Sequence, residues 1–233
     1  LTAANIGVIV GTDFEKEIKN GKVVEWARRH AGDRNLVAVL LGNEYNLHHE
    51  WFWDNLNFWY TYLELTAQKI RAANPNVLIT TAHGDLPMVE NMMAAPSVDI
   101  WDINGYRWDN PDSMFEQWDE RNEKYRQEFM SKYGVARTLP MFLSEAGADS
   151  YDATKGEENQ SWQAEANYKI WRKAVKQMKD RSESFKGVLF MSLRDNVNKK
   201  VNKHSVAGKY DKAGMEASVP YDNFANEEYL GFI

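Results

Sequence analysis

The feature that most constrains this chain is an alternation. Short apolar runs of β type are separated by longer segments with helical periodicity, the pattern of βα units laid on a parallel sheet. Strands are read near Ile6–Gly11, Leu36–Asn43, Val77–Ala82, Val98–Tyr106, Leu139–Ser144 and Gly187–Ser192. Between them, Phe52, Leu56, Trp59, Leu63, Ala67 and Ile70 recur at three- and four-residue steps and share one helix face. Asn74-Pro75-Asn76 stops that helix before the next strand. Phe115, Trp118, Tyr125 and Phe129 mark another helix, and Ala166, Ile170, Ala174 and Met178 a further one. Shorter helices are read over Gly21–Arg29 and Pro87–Ala95. No linker or low-complexity stretch interrupts the pattern, so one domain over residues 1–233 is expected.

Six strands fall short of the eight that close a (β/α)8 barrel. Either two βα units precede Leu1 or the sheet is open; because Ile6–Gly11 already reads as an interior strand, the expectation is an α/β TIM barrel whose first two βα units precede Leu1. From Val201 onward the helical period is lost, and Glu228-Tyr229-Leu230-Gly231-Phe232-Ile233 reads as a terminal apolar strand.

Composition removes several classes of function. A formal charge of −6 lacks the basic footprint that phosphate backbones require, which argues against nucleic acid. No apolar run approaches the roughly 20 residues of a membrane-spanning helix. Without cysteine there is neither disulfide nor thiolate chemistry. Nine Trp and eleven Tyr supply flat apolar rings with polar edges, suited to sugar faces and equally to a core.

Two of the apolar runs end on an acid. Val39-Leu40-Leu41-Gly42-Asn43-Glu44 is one, and Met141-Phe142-Leu143-Ser144-Glu145 the other. An unpaired carboxylate at the end of a buried strand is costly, and functional residues of α/β barrels lie at the carboxyl ends of strands. Either acid alone has an ordinary explanation, a helix cap for Glu44 or an ion pair for Glu145. Two acids at matching strand ends are what a glycosidase needs. Opposed at about 5–5.5 Å, they suit double displacement with retention: one attacks the anomeric carbon, the other protonates the leaving oxygen and then activates water. The Asn43 amide is placed to bond a sugar hydroxyl beside the reacting carbon. Tyr106 is placed to donate to the nucleophile. His83 ends a strand and reads either as a substrate contact or as a satisfied polar residue. Trp51, Trp53, Trp101 and Trp108 follow site strands and are candidates for stacking on sugar. His48 and His49 lack the converging partners a metal needs, so no metal is expected. No glycine-rich phosphate loop and no nucleophile elbow occur, so no cofactor and no serine triad are indicated.

These residues resemble a known group. Leu41-Gly42-Asn43-Glu44 resembles the acid/base motif on the fourth strand of the retaining (β/α)8 glycoside hydrolases of clan A. Ser144-Glu145-Ala146-Gly147-Ala148-Asp149-Ser150-Tyr151 resembles the nucleophile motif on their seventh strand. Asn104-Gly105-Tyr106 matches the sixth-strand position whose tyrosine contacts the nucleophile. The segment from Glu157 to Trp171 is similar to the start of the next helix, and the closing Asn226–Ile233 looks like the segment after strand eight in bacterial relatives of β-1,3-glucanases and glucanosyltransferases. The resemblance runs from about Ile6 onward and numbers Ile6–Gly11 as the third strand. The chain departs from the pattern at Leu193–Lys200, where such enzymes carry aromatic residues that stack on the sugar and this chain has none.

The resemblance implies Glu44 as acid/base and Glu145 as nucleophile. Asn43 and Tyr106 would support them, with Trp101, Arg107, Trp108 and His83 lining the cleft and Asn104 among the substrate-binding residues. The partner is an oligo- or polysaccharide with β linkages, β-glucan foremost, and polymeric substrates imply a secreted or periplasmic protein. Oligomeric state stays open. Two rival readings stand beside it: a non-catalytic carbohydrate-binding or scaffold protein on a barrel that lost its activity, and a phosphate-binding metabolic barrel. The second needs a glycine-rich turn, of which Glu145-Ala146-Gly147-Ala148 is a poor version.

Overall fold

A computed structural model describes residues 6–107, 110–152, 155 and 157–191. In chain order the elements are β1 (Val8–Thr12), α1 (Lys22–Arg29), β2 (Leu36–Asn43), α2 (Leu56–Ala73), β3 (Leu78–Gly84), α3 (Val89–Ala94), β4 (Ile100–Asn104), α4 (Pro111–Tyr133), β5 (Met141–Ala146), β6 (Tyr151–Asp152), β7 (Glu157–Glu158), α5 (Gln160–Asp180) and β8 (Phe185–Phe190). The six expected strands and five expected helices are present, with ends displaced by one to a few residues. The expected strand at Glu228–Ile233, the loop at Leu193–Lys200, and residues Ser192 and Trp108 lie outside the described residues.

The chain divides into two compact units. The first comprises the residues up to Asn104 together with Trp118–Phe142; the second comprises Gly105–Gln117 and the residues from Leu143 on. In the first, β1 pairs with β2, β2 with β3 and β3 with β4, all parallel. The order continues through β5, which both units share, to β8, so the six parallel strands stand in chain order. A doubly wound sheet would reverse its order at a switch point. An uninterrupted order belongs to the (β/α)8 barrel type, and that is the fold class of this chain.

Local chemistry accounts for the helices. The Asn55 side chain accepts a bond from the Asn57 N–H and caps α2, whose inward face is Trp59, Tyr60, Leu63, Ala67 and Ile70. At its other end Asn74, buried, donates from Nδ2 to the Ala27 carbonyl (3.2 Å) and ties α2 to the end of α1. Phe52 belongs to a 3-10 turn, His49–Phe52, rather than to α2. Asp13 caps a five-residue π-helical turn, Phe14–Ile18, which the sequence reading missed.

In the second unit Asn159 caps α5 by accepting from the Trp162 N–H (3.0 Å). The α5 residues Ala166 and Ile170 pack with Ala146 and Ala148, and Tyr106, Val188 and Phe190 close over them. Strands β6 and β7 form a small antiparallel hairpin, Tyr151 opposite Glu158.

Candidate active site

The first unit carries Asn43, Glu44, His83, Trp101 and Asn104. The carboxyl end of β2 is irregular. Leu40 pairs with Thr80 and Asn43 with Ala82, so three steps along β2 match two along β3. One extra residue is inserted, a bulge that re-aims the side chains beyond it. Gly42 has φ +73° within this segment. A Cβ there would come within 2.6 Å of the Tyr45 ring and 2.9 Å of Trp59. Glycine is therefore required twice over, for the left-handed backbone and for the close approach.

Glu44 follows in the left-handed region as well, at φ +55°, a conformation that costs a non-glycine residue about 1–2 kcal/mol. Its neighbours hold it there. The Glu44 N–H donates to the Ala82 carbonyl (2.8 Å). Asn46 forms a two-point clamp on β3, donating from Nδ2 to the Gly84 carbonyl (2.9 Å) and accepting from the Gly84 N–H (2.8 Å). Beneath the turn Tyr45 packs edge-on to Trp59 (4.8 Å) and Phe14 (6.4 Å), and its hydroxyl accepts from the Phe14 N–H (2.9 Å). Burial raises the Tyr45 pKa and keeps that hydroxyl neutral.

The Glu44 side chain is half-buried. Asn104, buried at the end of β4, donates from Nδ2 to Glu44 Oε1 (2.9 Å) and lies 3.1 Å from Asn43 Oδ1. Gly84 of β3 stands opposite Asn104 in the register. Asn43 itself is exposed. Asn43, Glu44 and Asn104 thus form one hydrogen-bonded group.

Two predicted residues sit elsewhere in this unit. Trp101 is fully buried, so it is a core residue; the expectation that it lines a cleft is corrected here. Strand β4 is covered on both faces, and the side chain at 101 turns inward to pack edge-on to the His83 ring (5.9 Å). His83 is the satisfied polar residue of the two readings. Its Nδ1 donates to the Asp85 carbonyl (2.8 Å), so Nε2 accepts from the Tyr60 hydroxyl (3.0 Å). Burial lowers its pKa to about 4, which keeps the ring neutral. Asp102, buried two residues before Asn104, was not singled out in the sequence. Burial pushes its carboxyl up to about 7. The Thr80 hydroxyl offsets part of that shift, although Thr80 Oγ1 and Asp102 Oδ2 form no hydrogen bond of good geometry.

The second unit carries Tyr106, Arg107 and Glu145. No residue of β5 has positive φ. Glu145 is half-buried, and its carbonyl accepts from the Gly105 N–H (2.8 Å). The next side chain, Tyr106, donates its hydroxyl to Glu145 Oε2 (2.7 Å). A Cβ at Gly105 would lie 2.6 Å from the Met114 Cε, the flexible end of that side chain. The same Tyr106 hydroxyl lies 3.2 Å from Met191 Sδ, a residue no sequence signal had marked. Arg107 reaches forward to the next helix, donating from Nη1 to Gln117 Oε1 of α4 (3.1 Å). Among the described residues no three His, Asp or Glu gather as metal ligands, and no helix is long and apolar enough to cross a membrane.

The chain thus presents two acids at the carboxyl ends of parallel strands, each bonded by a neutral donor from the residues that end β4 or follow it. Comparison with solved structures agrees on the fold. The β-1,3-glucanosyltransferase of glycoside hydrolase family 17 from Rhizomucor miehei matches at 15% identity and a TM-score of 0.56, over 100% of this chain and 79% of that one. A family 5 mannosidase from the same organism matches at 14% identity and TM-score 0.49, over 74% of this chain and 46% of its own. A β-D-glucuronidase from Dictyoglomus thermophilum matches at 15% and 0.46, and this chain spans 29% of its length. The family 17 match, the one of these with a TM-score above 0.5, shows a shared barrel-type fold. No family model matches the chain, and no curated protein does.

Proposed function

We propose that this chain is a retaining glycosidase or transglycosylase acting on a β-linked polysaccharide, with β-glucan the foremost substrate. One observation carries the reading: each of two strand-end glutamates has a dedicated hydrogen-bond donor, Asn104 Nδ2 on Glu44 (2.9 Å) and Tyr106 Oη on Glu145 (2.7 Å). The fold shared with a family 17 β-1,3-glucanosyltransferase supports the choice of substrate.

In this mechanism Glu145 attacks the anomeric carbon while Glu44 protonates the departing oxygen, giving a glycosyl–enzyme ester on Glu145. Glu44, now ionised, takes a proton from water or from a sugar hydroxyl, which displaces Glu145 and restores both acids. Retention requires carboxyl groups about 5–5.5 Å apart. A hydroxyl donor on Glu145 favours its ionised, nucleophilic form. Asn43 is placed to bond the sugar hydroxyl next to the reacting carbon. A polymeric substrate of this kind would be met outside the cytoplasm.

The test is to incubate the protein with β-1,3-, β-1,4- and mixed-linked glucan oligosaccharides and read products by mass spectrometry, beside Glu145→Gln. Shortened or elongated products from the wild type alone are expected. Saturable binding with no turnover would overturn the proposal in favour of a sugar-binding protein.

A further inference from the structure

The described part of the chain after β8 ends at Met191, whose N–H donates to the Ala146 carbonyl (3.0 Å), one residue beyond Glu145. That bond sets the Met191 side chain beside the Tyr106–Glu145 pair. Its sulfur lies 3.2 Å from the Tyr106 hydroxyl oxygen, and the hydroxyl hydrogen goes to Glu145 Oε2 at 2.7 Å. A thioether is a weak acceptor, so the single phenolic hydrogen stays with the carboxylate.

The geometry points to Met191 as a positioning residue and an oxidation site: converting its thioether to the sulfoxide takes the Tyr106 hydrogen away from Glu145. The reacting partner is a peroxide. The sulfur lone pair attacks one peroxide oxygen, the O–O bond breaks, an S–O bond forms, and the second oxygen leaves as water or alcohol with the proton. Sulfur is oxidised by two electrons and the peroxide reduced by two. The product carries a strongly accepting oxygen on a sulfur that already sits at hydrogen-bond distance from the phenol. Tyr106 then either turns its hydrogen to the sulfoxide or is pushed off by the added oxygen, and Glu145 loses this bond in both cases. Met191 is half-buried, so a small peroxide reaches it. Met88, Met130 and Met178 are exposed and lie outside this contact, which makes them internal controls.

The consequence for turnover rests on the glycosidase reading above; the contact itself does not. The experiment treats the wild type, Met191→Leu and Met191→Gln with graded hydrogen peroxide, maps sulfoxides by peptide mass spectrometry, and follows glucan turnover. Fluorotyrosine-labelled protein, with Tyr106→Phe to assign the resonance, reports on the ring by fluorine NMR. The wild-type rate should fall at least tenfold in step with sulfoxide at Met191. Met191→Leu, similar in volume, should keep its own untreated rate. Met191→Gln, which presents a permanent strong acceptor, should be slow before any treatment. Full oxidation of Met191 with rate retained, equal loss in Met191→Leu, or resistance of Met191 at doses that convert Met88 and Met130 would each overturn the inference. Should the untreated protein be silent on every glucan, the glycosidase reading fails, and the Tyr106 resonance decides. Movement on oxidation in the wild type but not in Met191→Leu upholds the contact; a stationary resonance overturns it.

Discussion

Glu44 and Glu145 stand at corresponding places in the chain, and their surroundings are built in opposite ways. Around Glu44 the backbone is distorted. A bulge, a left-handed Gly42 and a left-handed Glu44 are held by the Asn46 clamp and by the Tyr45, Trp59 and Phe14 rings. Around Glu145 no residue of β5 is left-handed, and side chains stand close by, the Tyr106 hydroxyl on the carboxylate and the Met191 sulfur beside that hydroxyl. The lesson is that one acid is aimed by its backbone and the other is tuned by its neighbours. Both should be vulnerable to loss of their hydrogen-bond donors, and the first to changes in backbone shape as well.

The largest effects come from the acids themselves. Glu44→Gln should lower turnover of natural glucans by about 10²–10⁴-fold, the usual contribution of general acid–base catalysis. It should spare attack on dinitrophenyl glycosides, whose leaving group needs no proton. Glu145→Gln should abolish both reactions, and stopped-flow kinetics on the two substrates separates the roles.

Gly42→Ala breaks the backbone side of the comparison. A side chain in a left-handed residue costs about 1–2 kcal/mol, and overpacking against Tyr45 and Trp59 about 1–3 kcal/mol more. Urea denaturation should show a stability loss of about 2–5 kcal/mol, with activity falling in the surviving folded protein.

Removing the donors is milder. A hydrogen bond to a charged group is worth about 1.5–3 kcal/mol, so Asn104→Ala and Tyr106→Phe should each cost about 10- to 100-fold in kcat/KM.

The smallest effect is one of pH on stability in the first unit. His83 has a folded pKa lowered from 6.5 to about 4. Its contribution is present above pH 6.5 and is lost as pH falls toward 4. Asp102 has a folded pKa raised from 3.8 to about 7. Its contribution is present below pH 3.8 and is lost as pH rises toward 7. Each slope is at most about 1.4 kcal/mol per pH unit, and between pH 4 and 6.5 they oppose. The wild type should therefore show a nearly flat contribution there. Asp102→Asn should become more stable as pH rises through that window, and His83→Gln less stable. Thermal melts across the range check the signs.

How much of this was legible in the sequence depended on what each residue answers to. The strands and helices were readable because burying one face forces a period, as in α2 with Trp59, Leu63, Ala67 and Ile70. The strand-end acids stood out because carboxylates seldom follow such apolar runs. Trp101 misled, since a strand covered on both faces has no period to tell which side chain reaches a cleft. The left-handed Gly42 answers to Tyr45 and to Trp59 on the following helix, a tertiary contact invisible to local pattern. Met191 gave no signal, because an apolar residue after a strand ordinarily means core. The neutral state of His83 is set by Tyr60 and Asp85 in the fold, and no spacing encodes it.

The most direct test of the central claim is covalent trapping. The protein is incubated with a panel of 2-deoxy-2-fluoro-β-glycosyl fluorides, whose glycosyl–enzyme esters turn over slowly, and the adduct is located by peptide mass spectrometry. A single added glycosyl group on Glu145, absent from Glu145→Gln, is the predicted result. Steady glucan turnover with no adduct, or an adduct on any other residue, would contradict the assignment of Glu145 as nucleophile and with it the retaining mechanism proposed here.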